Sequence, residues 1–146
     1  MKSPAIIAIL AAALLMLQPT YAAMKGLVFG RPPSGNYPTV SPAALIVEPE
    51  RYHGKPLQTD GYLFVGDREI LLFAWKEDLE HSRANHAFAL GFNGDVKLSR
   101  EELGKLNGKR IMLSGVFLGS ENGKVRPFGG LIHKIEYLED AEPERQ

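Results

Sequence analysis

Apolar and polar residues along this chain alternate with two periods, and the changes of period divide it into elements. Leu57 to Val65, ended by the turn Gly66-Asp67, is expected to be the first strand. Ile70, Leu71, Leu72, Phe73, Ala74 and Trp75 are apolar on both faces, so Glu69 to Trp75 is expected to be a covered, central strand. His86 to Phe92 sorts His86, Phe88, Leu90 and Phe92 onto one face and Ala87, Ala89 and Gly91 onto the other. Lys109 to Leu118 and Leu131 to Leu138 complete a set of five strands. Two stretches carry helix signals instead. Ser41-Pro42 pairs a capping residue with a proline at the first helical position, ahead of Ala44, Leu45 and Val47. Ser99-Arg100-Glu101-Glu102 is a capping box, with Leu98 and Leu103 spaced for a hydrophobic staple and Gly108 closing the helix. Between the second and third strands, Lys76 to Asn85 is polar and is expected to form a long loop or a short helix.

A repeated pattern refines this picture. Gly54-Lys55 and Gly108-Lys109 each follow a helical stretch, and each is followed after five residues by another glycine, Gly61 or Gly115. Glycine after a helix supplies the left-handed cap, and glycine inside a strand marks a bend. Helix, three strands, helix, two strands is the order of the OB-fold, a five-stranded Greek-key barrel. The expectation is therefore a mainly β domain: an OB-like barrel with one helix before the first strand and one between the third and fourth. In that fold the first and fourth strands pair, and Gly61 and Gly115 are the expected bend positions. A small open α+β sheet is the rival architecture.

The ends of the chain read differently. Lys2 precedes the thirteen-residue apolar run Ala5 to Leu17, then Pro19 and the small-residue sites around Ala22 and Ala23. That is the layout of a secretory signal peptide, too short to span a bilayer comfortably. Cleavage after Ala22 leaves 124 of the 146 residues. Residues 23–40, rich in Gly and Pro, read as an irregular leader, 41–138 as the barrel domain, and 139–146 as a frayed acidic tail. The chain has no cysteine, so neither a disulfide nor a lipid-bearing Cys is available. The expected compartment is the bacterial periplasm or the medium, with no stable membrane insertion after cleavage. The full chain holds 17 basic and 17 acidic residues. Such a balance offers no global attraction to nucleic acid, which is not an expected partner.

Candidate chemistry is sparse. Asp78, Glu80, His81 and His86 are the best local set for a metal, but their spacing does not stack them and they read as a solvated charged loop. His133 falls in register with Leu131, Ile135 and Tyr137 and reads as a buried core histidine. No nucleophile elbow and no Cys nucleophile occur. No cofactor and no metal are expected. Binding remains: OB-folds bind on the face of their second and third strands and with the loops joining strands one to two and four to five. Here those loops are Gly66 to Arg68 and Gly119 to Gly130, and the candidate binding residues are Trp75, Lys76, Arg83, Arg126 and Phe128. The bland alternative has Trp75 closing the barrel end and Phe128 packed under its loop.

Finally, Pro49-x-x-Tyr52-x-Gly54-Lys55 followed by Gly61-Tyr62-Leu63, together with Trp75-Lys76-Glu77-Asp78, resembles small exported bacterial proteins of uncharacterised function with an OB-like barrel. The resemblance implies fold and compartment and carries no activity. The expected function is a non-enzymatic periplasmic binding module for a protein or another envelope component, an inhibitor or immunity protein being one form of it. A metal-dependent or hydrolytic envelope enzyme or accessory is the alternative.

Overall fold

The computed structural model describes residues 26–120 and 128–142; the expected signal peptide and the candidate Arg126 lie outside them. The strands are β1 (Val28–Gly30), β2 (Lys55–Val65), β3 (Ile70–Phe73), β4 (Ala87–Leu90), β5 (Arg110–Gly119) and β6 (Gly130–Asp140). The helices are α1 (Pro42–Val47), α2 (Pro49–Tyr52), α3 (Lys76–Glu80) and α4 (Arg100–Leu106), with a 3₁₀ turn at Ala84–His86. β2 pairs with β3 and β5, β3 with β4, β4 in parallel with β6, and β6 with β5, which closes a five-stranded mixed barrel. This is the connectivity expected of an OB-like fold, with α4 between its third and fourth strands.

β2 serves two partners. Lys55 to Tyr62 pairs with β5, then Tyr62 to Val65 pairs with β3. The bend at Gly61 is tight: a Cβ there would lie 2.6 Å from the Phe73 carbonyl oxygen. At Gly115 it would lie 2.8 Å from the His133 carbonyl oxygen. Opposite Gly115 the register between β5 and β6 shifts, and Lys134 takes the left-handed region at φ 49°. The Asn93 side chain accepts the Lys134 N–H at 2.8 Å and holds this bulge.

The Gly-Lys repeat has a structural meaning that its spacing alone did not show. Leu57 faces Gly115 and Gly61 faces Ile111, so each copy's apolar position meets the other copy's bend glycine. Gly54 N–H donates to the Phe117 carbonyl and Gly108 N–H to the Leu63 carbonyl, both at 2.7 Å. Both glycines have positive φ, 74° and 79°. The two copies are thus related by a local pseudo-two-fold axis through the β2–β5 pair.

Alternation along β2 and β5 sends Leu57, Leu63, Ile111, Leu113 and Phe117 inward, where they meet Leu45, Leu72, Phe88, Leu106, Ile132, Ile135 and Leu138. Phe88 and Phe117 pack edge to face at 5.7 Å. The capping box of α4 forms in full, with Ser99 N–H donating to Glu102 Oε2 at 2.7 Å and Glu102 N–H to Ser99 Oγ at 3.2 Å. Backbone and then side-chain hydrogen bonds from Ser99 hold the Glu102 carboxyl below its ordinary pKa.

Several expectations need correction. The leader is not irregular throughout: Val28–Gly30 adds a strand to β6, Val40 is buried, and Tyr37 donates its hydroxyl proton to Glu136 at 2.8 Å. The tail is not frayed from Glu139: β6 runs to Asp140, whose N–H donates to the Leu27 carbonyl at 2.9 Å and whose carboxylate pairs with Lys109. The expected second strand ends at Phe73, because Lys76-Glu77-Asp78-Leu79-Glu80 starts a helix with acidic residues in its first turn. The expected third strand is shortened to Ala87–Leu90, the 3₁₀ turn taking His86 from its start. His133 is half-buried rather than buried, because the bulge at Lys134 breaks the alternation that put it in phase with Ile135.

Candidate functional site

The outer faces of β2 and β3 carry two neighbouring depressions. The first, about 480 Å³, is lined by Asp60 and Tyr62 of β2, Arg110 of β5, the start of α1 at Ser41 to Ala43, and Ala74, Trp75, Lys76 and Glu77. Strand alternation explains the β2 contribution. With Leu57, Thr59, Gly61 and Leu63 buried inside, Asp60 and Tyr62 must point out. Arg110 reaches this face because it stands opposite Tyr62 at the start of β5. Its Nε and Nη2 both donate to the single oxygen Oδ2 of Asp60, the Nε bond being 2.8 Å. The hydrogen bond to Asp60, then its charge, push the guanidinium above its already high ordinary pKa.

Trp75 stands at the rim, in extended backbone just before α3, and is 42% exposed. The notion that it closes the barrel end does not hold; it lies outside the barrel. Its indole packs edge to face on His86 at 5.2 Å. His86 in turn is fixed by Asp78, with His86 Nδ1 and Asp78 Oδ2 2.7 Å apart, and Arg83 approaches the other carboxylate oxygen at 3.4 Å. Asp78 is 4% exposed. The reading of this stretch as a solvated charged loop is therefore overturned at its centre: a buried carboxylate, satisfied by an imidazole and a guanidinium, ties α3 to the 3₁₀ turn and backs the tryptophan. Among the described residues no three His, Cys, Asp or Glu side chains converge to hold a metal ion.

The second depression, about 490 Å³, is apolar, lined by Phe64, Leu71, Phe73, Leu79 and Phe128, with Glu69, Ser82 and Ala84 at its edge. Leu71, Phe73 and Ala87 form a small second core on the outside of the barrel, against which Phe64, Leu79 and Phe128 pack. The two-sided apolarity of Ile70 to Phe73 has this origin.

The candidate residues therefore divide. Trp75 and Lys76 line the first depression, and Phe128 the second. Arg83 supports Asp78, away from both linings. The β2–β3 loop is held by Arg100, whose guanidinium donates to the Asp67 carbonyl at 2.8 Å. Sequence reasoning did not select Asp60, Tyr62 or Arg110. Asp60 and Tyr62 fall within the expected first strand, but only the β2–β5 register brings Arg110 to them. No family model matches the sequence, and no curated protein matches it.

Proposed function

We propose that this protein is a non-enzymatic binding module of the bacterial envelope, exported and then released from its signal peptide, that recognises a protein or another envelope component on the Trp75 face of its barrel. The observation that carries the proposal is the exposed Trp75, held by His86 and Asp78 over a cleft with a charged pair in its wall. A solvent-facing indole with a fixed orientation is costly to leave uncovered and is the residue type that most often anchors interfaces. It stands just beyond the end of the second barrel strand, whose face is where OB-folds take ligands. The sequence resemblance to small exported OB-like proteins supports the compartment. Among the described residues no helix is long and apolar enough to cross a membrane.

The test is capture from a periplasmic extract on the immobilised mature protein, followed by titration of what is recovered. Trp75→Ala should weaken binding by about 2 kcal/mol or more while the melting temperature holds. Lys97→Ala, outside the cleft lining, should change neither. Equal capture by wild type and Trp75→Ala would overturn the assignment of this face.

A further inference from the structure

The end of β5 is held by a side chain. Gly119 N–H donates to His53 Nδ1 at 3.1 Å. A backbone amide can only donate, so Nδ1 is the bare, accepting nitrogen of a neutral imidazole whose proton sits on Nε2. An imidazolium carries protons on both nitrogens and cannot make this bond.

The pseudo-two-fold axis supplies a second latch of the same build. His53 follows α2 with φ −56° and ψ 128°, and Asn107 follows α4 with φ −58° and ψ 128°. In the first copy Gly54 N–H donates to the Phe117 carbonyl, and the amide two residues beyond Phe117, that of Gly119, donates to His53. In the second copy Gly108 N–H donates to the Leu63 carbonyl, and the amide two residues beyond Leu63, that of Val65, donates to Asn107 Oδ1 at 2.9 Å. The two latches differ in the chemistry of the acceptor. One is an amide oxygen, which does not titrate; the other is an imidazole nitrogen, which does. They also hold matching places. Val65 ends β2 ahead of the β2–β3 loop, and Gly119 ends β5 ahead of the connection to β6. Those are the two loops with which OB-folds take ligands.

Among the described residues, Glu50 lines the small crevice around His53, together with Pro49, Gly119 and Ser120. Its carboxylate favours a charged imidazole there. The other charged groups of these elements are engaged or stand apart. Arg51 pairs with Glu48 at 3.2 Å and lies over the Tyr52 ring, Lys55 begins β2 opposite Phe117, and Arg110 is at the far end of β5.

We propose that the His53–Gly119 latch is a pH switch at the root of the β5–β6 connection: protonation of His53 releases the end of β5, while the Asn107–Val65 latch holds the end of β2 regardless of pH. The sign follows from the acceptor. A bond that needs the neutral imidazole is present in full above the pH at which an unfolded imidazole protonates, about 6.5, and is lost as the pH falls further. The switch does not depend on which ligand the Trp75 face takes.

The experiment is NMR on the ¹⁵N-labelled mature protein. At about pH 7.5 His53 Nδ1 should appear as an unprotonated ring nitrogen. Between about pH 7.5 and about pH 5 the exchange protection of the Gly119 amide, corrected for the intrinsic pH dependence of exchange, should fall about tenfold, while that of Val65 holds. His53→Asn, which installs the acceptor of the other copy, should keep Gly119 protected at both pH values. His53→Ala, which has no acceptor, should leave it weakly protected at both. Far-UV circular dichroism confirms that the variants fold, and the wild-type measurements decide the matter even if one does not. A proton on Nδ1 at neutral pH overturns the proposal. So does a loss of protection shared equally by Gly119 and Val65, or a folded His53→Asn that is as acid-sensitive at Gly119 as the wild type.

Discussion

Glycines 61 and 115 mark the places where single side chains decide the fold. Each lies under a backbone carbonyl that a Cβ would meet at under 3 Å, 2.6 Å from Phe73 at the first and 2.8 Å from His133 at the second. Backbone in a closed barrel has little freedom to retreat, so Gly61→Ala and Gly115→Ala should each destabilise by about 1–3 kcal/mol, read from urea melts. Gly104 provides the contrast. It sits exposed in α4, an added Cβ meets nothing within 4 Å, and its φ is not positive. Gly104→Ala should therefore stabilise by about 0.5–1 kcal/mol. A loss at Gly104 equal to that at Gly61 would show that the difference does not come from crowding. The two bend glycines were recognisable in the sequence because they recur at one spacing. Asp60 and Arg110 were not, because no local pattern announces a cross-strand pair between residues so far apart in the chain.

Among the elements, α4 was the most readable and also the most self-contained. Its start is set by two residues that satisfy each other's neighbouring N–H groups, a signal written entirely within Ser99 to Glu102. Ser99→Ala should cost about 1 kcal/mol at neutral pH. The pH dependence follows from the depressed Glu102 carboxyl. A carboxylate with a lowered folded pKa contributes above its unfolded pKa and loses that contribution as pH falls through the folded value. The gap between wild type and Glu102→Ala should therefore narrow in acid, in melts at neutral pH and below the carboxylate range. An unchanged gap would mean that Glu102 has no part in the cap. The strands were readable in their middles and not at their ends. Trp75 continues an apolar run and would extend β3 on pattern alone, yet the helix-forming residues after it claim the backbone. At β6 the error runs the other way: charged Glu139 and Asp140 look like a tail, and only their pairing with β1, β5 and Lys109 makes them strand.

At the scale of the whole molecule, element order was enough to expect the barrel, because few topologies accommodate three strands, a helix and two strands with short connections. Its closure rests on the parallel β4–β6 pair and the β5–β6 pair, neither of which leaves a local trace in sequence. The site was legible in Trp75 and Lys76, just beyond the end of the second barrel strand. It was illegible where it depends on register and burial, as with the Asp60–Arg110 pair and the buried Asp78. The same barrel separates inner from outer chemistry. Its interior is largely aliphatic and aromatic, Thr59 being the polar exception on β2, and the charged Asp60 of β2 and Arg110 of β5 stand on the outer face, where the cleft lies.

The β1–β6 pair has a consequence for the order in which the molecule can be made. The first described strand finds its partner only in the last, and β6 also supplies neighbours to β4 and β5. A chain delivered N-terminus first, from a ribosome or through a membrane pore, therefore holds β1 unpaired until almost everything else has emerged. Topologies dominated by such distant pairings fold slowly, so the closing of β1 onto β6 is expected to come late in folding.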